Sequence, residues 1–230
     1  MNIFYQLYFY LKTVIIKIKG KNNKIFFKDK MNKKFRGSLI DIKGKNNLIK
    51  FGENLNMKKF KLKIEGNNNI IIIKDNFKVH TGSIEINGNN NILEIGSKCQ
   101  FWSGLLFIGQ NQGEVKIGEN NIFNGTQLIS EEDKNKLLIG NNNLFSNAMI
   151  RNTDGHKIFH KAEQINRGKS IEIKNNIWVA ANVIILKGVK INNGNVIAAG
   201  TIVTQNIVEE NSIIVGNPYR ILKTDIMWKQ

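Results

Sequence analysis

The chain has 230 residues, with 34 Lys+Arg against 18 Asp+Glu, a formal net charge of +16, a single proline and a single cysteine. That length suits one elongated domain or two small ones, and 41% apolar residues can fill a core. A lone cysteine, Cys99, excludes an internal disulfide framework and reads as a buried filler thiol.

The charge is uneven. Residues 1–75 hold 18 Lys+Arg and 5 Asp+Glu, and the remainder holds 16 and 13. Such an excess suits nucleic acid, a membrane surface or an acidic polymer, or reflects a simple preference for Lys and Asn as polar residues. No nucleic-acid-binding motif is present and the lysines are spread singly, so nucleic acid is not an expected partner. No run reaches the ~20 apolar residues of a spanning helix. No basic-then-apolar leader with a cleavage site opens the chain. The expected location is therefore cytoplasmic, with peripheral contact at an inner membrane left open.

In chain order, the first segment, Ile3 to Leu11, is aromatic-rich and followed by lysines. Residues 1–15 are expected to cap the open end of a stacked coil, or to lie on a membrane surface. Next, a Gly-x-Asn-Asn phrase recurs at Gly20, Gly44, Gly66, Gly88 and Gly140, with variants at Gly109 and Gly118. The first four are 24, 22 and 22 residues apart. Gly and Asn tolerate a left-handed backbone, so the phrase reads as a tight corner, and asparagines at equivalent corners can ladder.

Residues 146–170 break the period with Arg151-Asn152-Thr153-Asp154-Gly155-His156, the densest cluster of reactive side chains in the chain. A polar excursion from a rigid repeat is where function usually sits. Beyond it, Ile173, Val179, Ile185, Ile191, Ile197 and Val203 stand six residues apart, all β-branched. That period fits neither an α-helix nor an alternating strand; it fits a hexapeptide-repeat β-helix. The fold expectation is all-β: a left-handed parallel β-helix over residues 1–216, with an excursion at 146–170. A C-terminal piece over 217–230 should begin with a turn at Gly216-Asn217-Pro218 and continue as a short helix or tail.

Thr153-Asp154-Gly155-His156, Ile177-Trp178-Val179-Ala180-Ala181-Asn182 and Gly216-Asn217-Pro218 together resemble the hexapeptide-repeat acyltransferases. Within them the likeness is to capsule and polysialic acid O-acetyltransferases. It is specific over residues 140–224; over 1–139 only the coil character carries over. Ala180, Ala198 and Lys174 stand where that family usually has glycine. The resemblance implies transfer of an acetyl group from acetyl-CoA, as co-substrate and without a metal, to a hydroxyl of a bacterial surface polysaccharide. It also implies a homotrimer with the active site between subunits.

Such a transfer needs a base, an oxyanion donor and a groove that aligns the substrates. His156 is the candidate base, because a histidine titrates near about pH 6.5 and this one follows a glycine in the excursion. His80 and His160 lack that context. Asp154 is the candidate for orienting the imidazole, or else a turn former. Arg151 and Asn152 are candidates for acceptor contacts. Trp178 is expected to face outward. The resemblance gives it the acetyl-CoA and acceptor groove, where its indole N–H is a candidate donor to the thioester oxygen; packing against a neighbouring subunit is the other reading. Trp102 and Trp228 carry no motif. Ala180, Ala198, Ala199 and Gly200 would let pantetheine run close to the backbone and bond to exposed amides, and Arg220 and Lys223 would meet CoA phosphates by analogy alone. The basic N-terminal third favours an anionic glycan acceptor. N-acetylation of an amino sugar and a non-catalytic binding scaffold are the alternatives.

Overall fold

The computed structural model describes residues 14–29 and 35–229; of the expected cap at 1–15, only Val14 and Ile15 fall within them. The chain winds as a stack of three-sided coils, each strand pairing in parallel with its equivalent one coil on. The first face carries eight strands: Lys24–Phe27, Leu48–Phe51, Ile70–Ile73, Ile92–Ile95, Glu114–Ile117, Lys136–Ile139, Ile171–Ile173 and Lys190–Ile191. The second runs from Asn56–Met57 and Lys78–Val79 to Leu144–Ser146, Trp178–Val179, Val196–Ile197 and Ile213–Val215. The third runs from Val14–Lys19, Ser38–Lys43, Phe60–Glu65 and Gly82–Asn87 to Met149–Arg151, Ile184–Ile185 and Ile202–Val203. Two long strands, Gln100–Gly109 and Ile122–Glu131, bend from the second face into the third, with positive φ at Gly104 and Gly125.

Coil length follows the sequence period. Leu48, Ile70, Ile92 and Glu114 are register partners 22 residues apart, whereas Trp178 pairs with Val196 and Glu172 with Lys190, 18 apart. The residues at intervals of six take the first, second and third faces in turn. Ile173 is 1% exposed, and Val179, Ile185, Ile191, Ile197 and Val203 are fully buried. Burying each such side chain contributes about 1.5–3 kcal/mol. In the larger coils the second face adds phenylalanines: the Phe101 and Phe123 rings lie 4.5 Å apart, and those of Phe123 and Phe145 4.8 Å.

The asparagine ladders are present, but the Gly-x-Asn-Asn phrase occupies two corners rather than one. The phrases at Gly20, Gly44, Gly66 and Gly88 join the third face to the first; those at Gly118 and Gly140 join the first to the second. The local requirement is the same at both, a left-handed residue in third position: φ is 56° at Asn68 and 58° at Asn142. At the third-to-first corner, Asn69 Nδ2 donates to Asn47 Oδ1 (3.0 Å) and to the Gly88 carbonyl (2.9 Å), and Asn91 N donates to Asn69 Oδ1 (2.9 Å). A Cβ on Gly66 would lie 1.8 Å from the Gly88 carbonyl oxygen, which is why that position is glycine. At the first-to-second corner, Asn121 Nδ2 donates to the Gly140 carbonyl (2.8 Å), and one coil below, the Cys99 thiol donates to the Gly118 carbonyl (3.1 Å). Cys99 is fully buried and burial pushes its thiol up to about 11, so it fills a ladder position and is no nucleophile.

The C-terminal tail does not form a helix. Arg220–Lys223 turns back antiparallel on Ile213–Val215, covering the open edge of the last coil. The chain then descends: Ile226 N donates to the Asn211 carbonyl (2.9 Å), and Trp228, 9% exposed, donates its indole N–H to the Asn176 carbonyl (2.8 Å).

Candidate active site

The excursion replaces a corner. It leaves the third face after Met149–Arg151 and rejoins the first at Ile171–Ile173, where the coils below place the Gly-x-Asn-Asn phrase. The coil that contains it is lengthened to 34 residues, from Leu137 to Ile171. Its base is bolted to the coil beneath, where Gly168 N donates to Glu132 Oε2 and Lys136 N to Ser170 Oγ (2.9 Å), and is closed on itself by Lys169 N donating to the Asn152 carbonyl (2.9 Å).

Within the loop, Gly155 N donates to Thr153 Oγ1 (3.1 Å), forming the turn that projects His156. Asn166 ties the two strands of the loop together. Its Nδ2 donates to the His156 carbonyl (2.7 Å) and to Asp154 Oδ2 (3.0 Å), and its Oδ1 accepts from Ile158 N (2.7 Å). No sequence signal marked Asn166, because its partners are brought together only by the short hairpin of Phe159–His160 with Glu163–Gln164. The His156 side chain is exposed and makes no hydrogen bond among the described residues.

Four expectations for the site change. Asp154 gives its carboxylate to Lys187 and Asn166 rather than to the imidazole, and the Lys187 ammonium holds its pKa below the ordinary carboxylate value. Asn152 is fully buried; its Nδ2 donates to Ser130 Oγ (3.1 Å) and its Oδ1 accepts from Glu131 N (2.8 Å), so it holds coils together and reaches no acceptor. The backbone amides beside the small residues are largely occupied: Ala180 N donates to Ile197 O, Ala198 N to Ile214 O and Gly200 N to Ala181 O, within 3.0 Å in each case. Pantetheine would meet a ledge of small side chains there rather than free N–H groups. Finally, Trp178 has a partner the sequence did not mark. It is 38% exposed, as expected for an outward residue, and its ring lies 6.2 Å from that of Trp228.

Arg151 is half-buried, with its guanidinium 3.8 Å from the Glu131 carboxylate. Arg220 and Lys223 are exposed on the antiparallel strand of the tail. Ala180 and Ala198 are register neighbours on adjacent coils at the second-to-third corner, and Gly200, with φ 73°, would meet nothing within 4 Å if given a Cβ.

One chain does not bring these groups together. His156 sits at the third-to-first corner, Trp178 opens the second face, and the alanines lie where the second face turns into the third. A wider cleft of about 800 Å³ runs past Gly96, Gly118 and Gly140, but neither His156 nor Trp178 is among its walls. Two of its three lysines are engaged, Lys74 with Glu94 and Lys116 with Glu114.

Fold and repeat together define a β-solenoid of about eight coils, of the hexapeptide-repeat, left-handed β-helix kind. No protein-family model matches the chain. It is similar to a polysialic acid O-acetyltransferase of Escherichia coli O1:K1 / APEC, 36% identical over 84 residues, which is 36% of this chain and 27% of that enzyme. Among solved structures it is similar to the polySia-specific acetyltransferase NeuO, at 25% identity and a TM-score of 0.72, over 96% of this chain and 90% of that one. It is also similar to the polysialic acid O-acetyltransferase OatWY, at 27% identity and a TM-score of 0.61, over 92% and 90% of the two chains. The likeness is thus to acyltransferases, and in the solved structures it extends through the lysine-rich lower coils as well as the motif-bearing upper ones.

Proposed function

We propose that the protein is an acetyl-CoA-dependent O-acetyltransferase that modifies a hydroxyl of an anionic bacterial surface polysaccharide, polysialic acid being the first to test. The observation that carries this reading is the bolted excursion that presents His156, unbonded, from a fold similar to two polysialic acid acetyltransferases.

In this reaction the neutral imidazole of His156 accepts the proton of the acceptor hydroxyl as its oxygen attacks the thioester carbonyl. The tetrahedral oxyanion collapses, the C–S bond breaks, and the leaving thiolate takes the proton back from the imidazolium. Products are the acetylated sugar and CoA. Trp178, with its exposed indole, and the ledge of Ala180, Ala198 and Gly200 would line the path of the pantetheine arm. Arg220 and Lys223 offer cations for CoA phosphates. Asp154 acts through the loop, by fixing Lys187 and Asn166 beneath His156.

Because His156 and Trp178 lie on different corners of one chain, the complete site is built between copies, in a homotrimer. The exposed apolar residues of the hairpin, Ile158, Phe159 and Ile165, supply a surface for that packing. The reaction is placed in the cytoplasm, where acetyl-CoA is made.

The test is CoA release from acetyl-CoA with polysialic acid, a neutral glycan and an amino sugar as acceptors. His156→Ala should lower turnover on the polyanion about 10²–10⁴-fold with an unchanged melting temperature. Mixing unfolded and co-refolded His156→Ala with Trp178→Ala should restore part of the activity, since some mixed sites would be intact. Turnover only on the amino sugar would make the enzyme an N-acetyltransferase. No turnover on any acceptor, with no acetyl-CoA binding, would remove the catalytic reading.

A further inference from the structure

Three coils below Trp178 on the same face lies a second constellation that the proposed chemistry does not use. Trp102 is 47% exposed, and its indole stacks flat on the His80 imidazole of the coil beneath, with centroids 4.5 Å apart and planes 11° from parallel. The pair walls a cleft of about 300 Å³ whose other sides are Asn56, Lys58, Lys78 and Gln100.

Several features set this spot apart from ordinary solenoid surface. The first is the backbone. Phe101 pairs with Phe123 but Ser103 pairs with Asn124, so Trp102 is the extra residue of a β-bulge. Bulges re-aim a side chain, and this one turns the largest side chain of the face out into solvent. The second is charge. Some lysines of the lower coils are paired, Lys43 with Glu65 and Lys74 with Glu94, and others are not; here Lys58 and Lys78, neither in an ion pair among the described residues, line one cleft beside Trp102. The third is an unused polar atom: the buried Asn56 Oδ1 has no hydrogen-bond partner among the described residues.

A flat aromatic platform, two free ammonium groups and two side-chain amides within one small cleft form a recognition set for a carboxylate-bearing sugar. The indole takes the C–H face of the ring, the lysines take the carboxylate, and the amides of Asn56 and Gln100 take hydroxyls or an N-acyl group. A nucleic-acid base would also stack on Trp102, but nothing repeats the platform at nucleotide spacing along the face. A neutral sugar would leave both lysines unused.

We propose that this cleft is a separate binding site for an acidic saccharide, remote from His156, which grips the polymer while a distant residue reacts. Coil spacing puts it roughly 14 Å along the axis from Trp178, a few sugar units of an extended chain. The binding part of this inference stands without the transferase reading; the gripping role rests on it.

The experiment is calorimetric binding of polysialic acid oligomers to the full chain without acetyl-CoA. Neutral dextran and polyglutamate serve as controls, and variants Trp102→Ala, Trp102→Phe, the double variant Lys58→Gln with Lys78→Gln, and His156→Ala are compared. Expected are a loss of affinity of about 10-fold or more in Trp102→Ala and in the double lysine variant, substantial retention in Trp102→Phe, and no change in His156→Ala. Sedimentation should show the same oligomer for wild type and Trp102→Ala. Equal binding by wild type and Trp102→Ala would overturn the proposal, as would polyglutamate binding as tightly as the glycan. Dissociation of the oligomer in Trp102→Ala would do so too, by making the platform an interface between copies. Binding that follows Trp102 in a protein with no turnover would sink the transferase alone; normal turnover with binding indifferent to Trp102 would sink this site alone.

Discussion

From Ser38 to Phe145 the coil takes 22 residues, and above Ile171 it takes 16 to 18. The larger coil has third-face strands of six residues, such as Phe60–Glu65, where the smaller has two, such as Ile184–Ile185. The wider section must be filled, and the second-face column fills it with Phe101, Phe123 and Phe145. In register above them the column continues as Val179, Ile197 and Ile214. The wider section also needs its corners braced, which the buried ladder of Asn47, Asn69 and Asn91 does. The narrow section turns on small residues at its second-to-third corner and keeps a ladder only at its first-to-second corner, where Asn175 Nδ2 donates to Asn193 Oδ1 (3.1 Å) and Ser212 N to Asn195 Oδ1 (2.9 Å). The excursion bearing His156 emerges where one section hands over to the other, at the corner the ladder holds below. A corner freed of its ladder can host a loop without breaking the strands on either side.

The sharpest way to break this comparison is to remove one rung. Asn69→Ala leaves the Gly88 carbonyl and the Asn91 amide without partners inside the stack, at a cost of about 3 kcal/mol. Urea unfolding should show this loss in the lower coils, with amide exchange accelerated on both flanking coils and little changed above Ile171. A loss below about 1 kcal/mol would mean that water takes over the rung and that the ladder is not the brace.

How far each region could be read from sequence follows from the same contrast. The narrow coils were legible because one β-branched residue every six positions has no other reading, and each of those residues is buried. The ladders were legible from Gly-x-Asn-Asn, but the corner each phrase occupies was not. Gly88 and Gly118 look alike in sequence, and only strand pairing separates the third-to-first corner from the first-to-second. His156 was legible from its motif and loop. Asn152, one residue before Thr153, reads as a site residue in the same motif, yet the strand carries it inward to Ser130. Trp228 was invisible because its contact with Trp178 spans the tail's reversal, which begins at Arg220. Trp102 was passed over because a bulge leaves no mark in one sequence.

A smaller effect tests the other end of the narrow section, where the tail takes over the bracing. Trp228→Ala removes the indole against Trp178 and its bond to the Asn176 carbonyl, at a cost of about 2 kcal/mol, less than a full core truncation because the tail can reseat. Limited proteolysis should then cut after Lys223 or Lys229, and Trp178 fluorescence should shift red as water reaches its ring. If the Trp178 emission is unmoved, the tail covers the coil edge without setting the indole. In the proposed transferase the same variant should raise the KM for acetyl-CoA more than it lowers kcat.

The smallest effect separates the loop from the coils that carry it. Lys187 holds the Asp154 carboxyl below its ordinary pKa by a direct hydrogen bond. A depressed folded-state value means that the pair's contribution is complete above the unfolded value, about 4, and is lost as the pH falls through the lowered one. The groups are partly exposed, so the gain is under about 1 kcal/mol. Asp154→Asn should therefore leave global unfolding almost unchanged at pH 7 while loosening the loop. Protease cleavage at Lys157 and Lys161 should rise a few-fold in the variant at pH 7. In the wild type, amide exchange at Ile158, whose N–H the Asn166 side chain holds, should quicken only below about pH 4. The buried rungs of Asn47, Asn69 and Asn91 should show neither change, because they are built from amides that do not titrate. If exchange at Ile158 is the same in both proteins at pH 7, Asn166 alone positions the His156 backbone and the ion pair is a passenger.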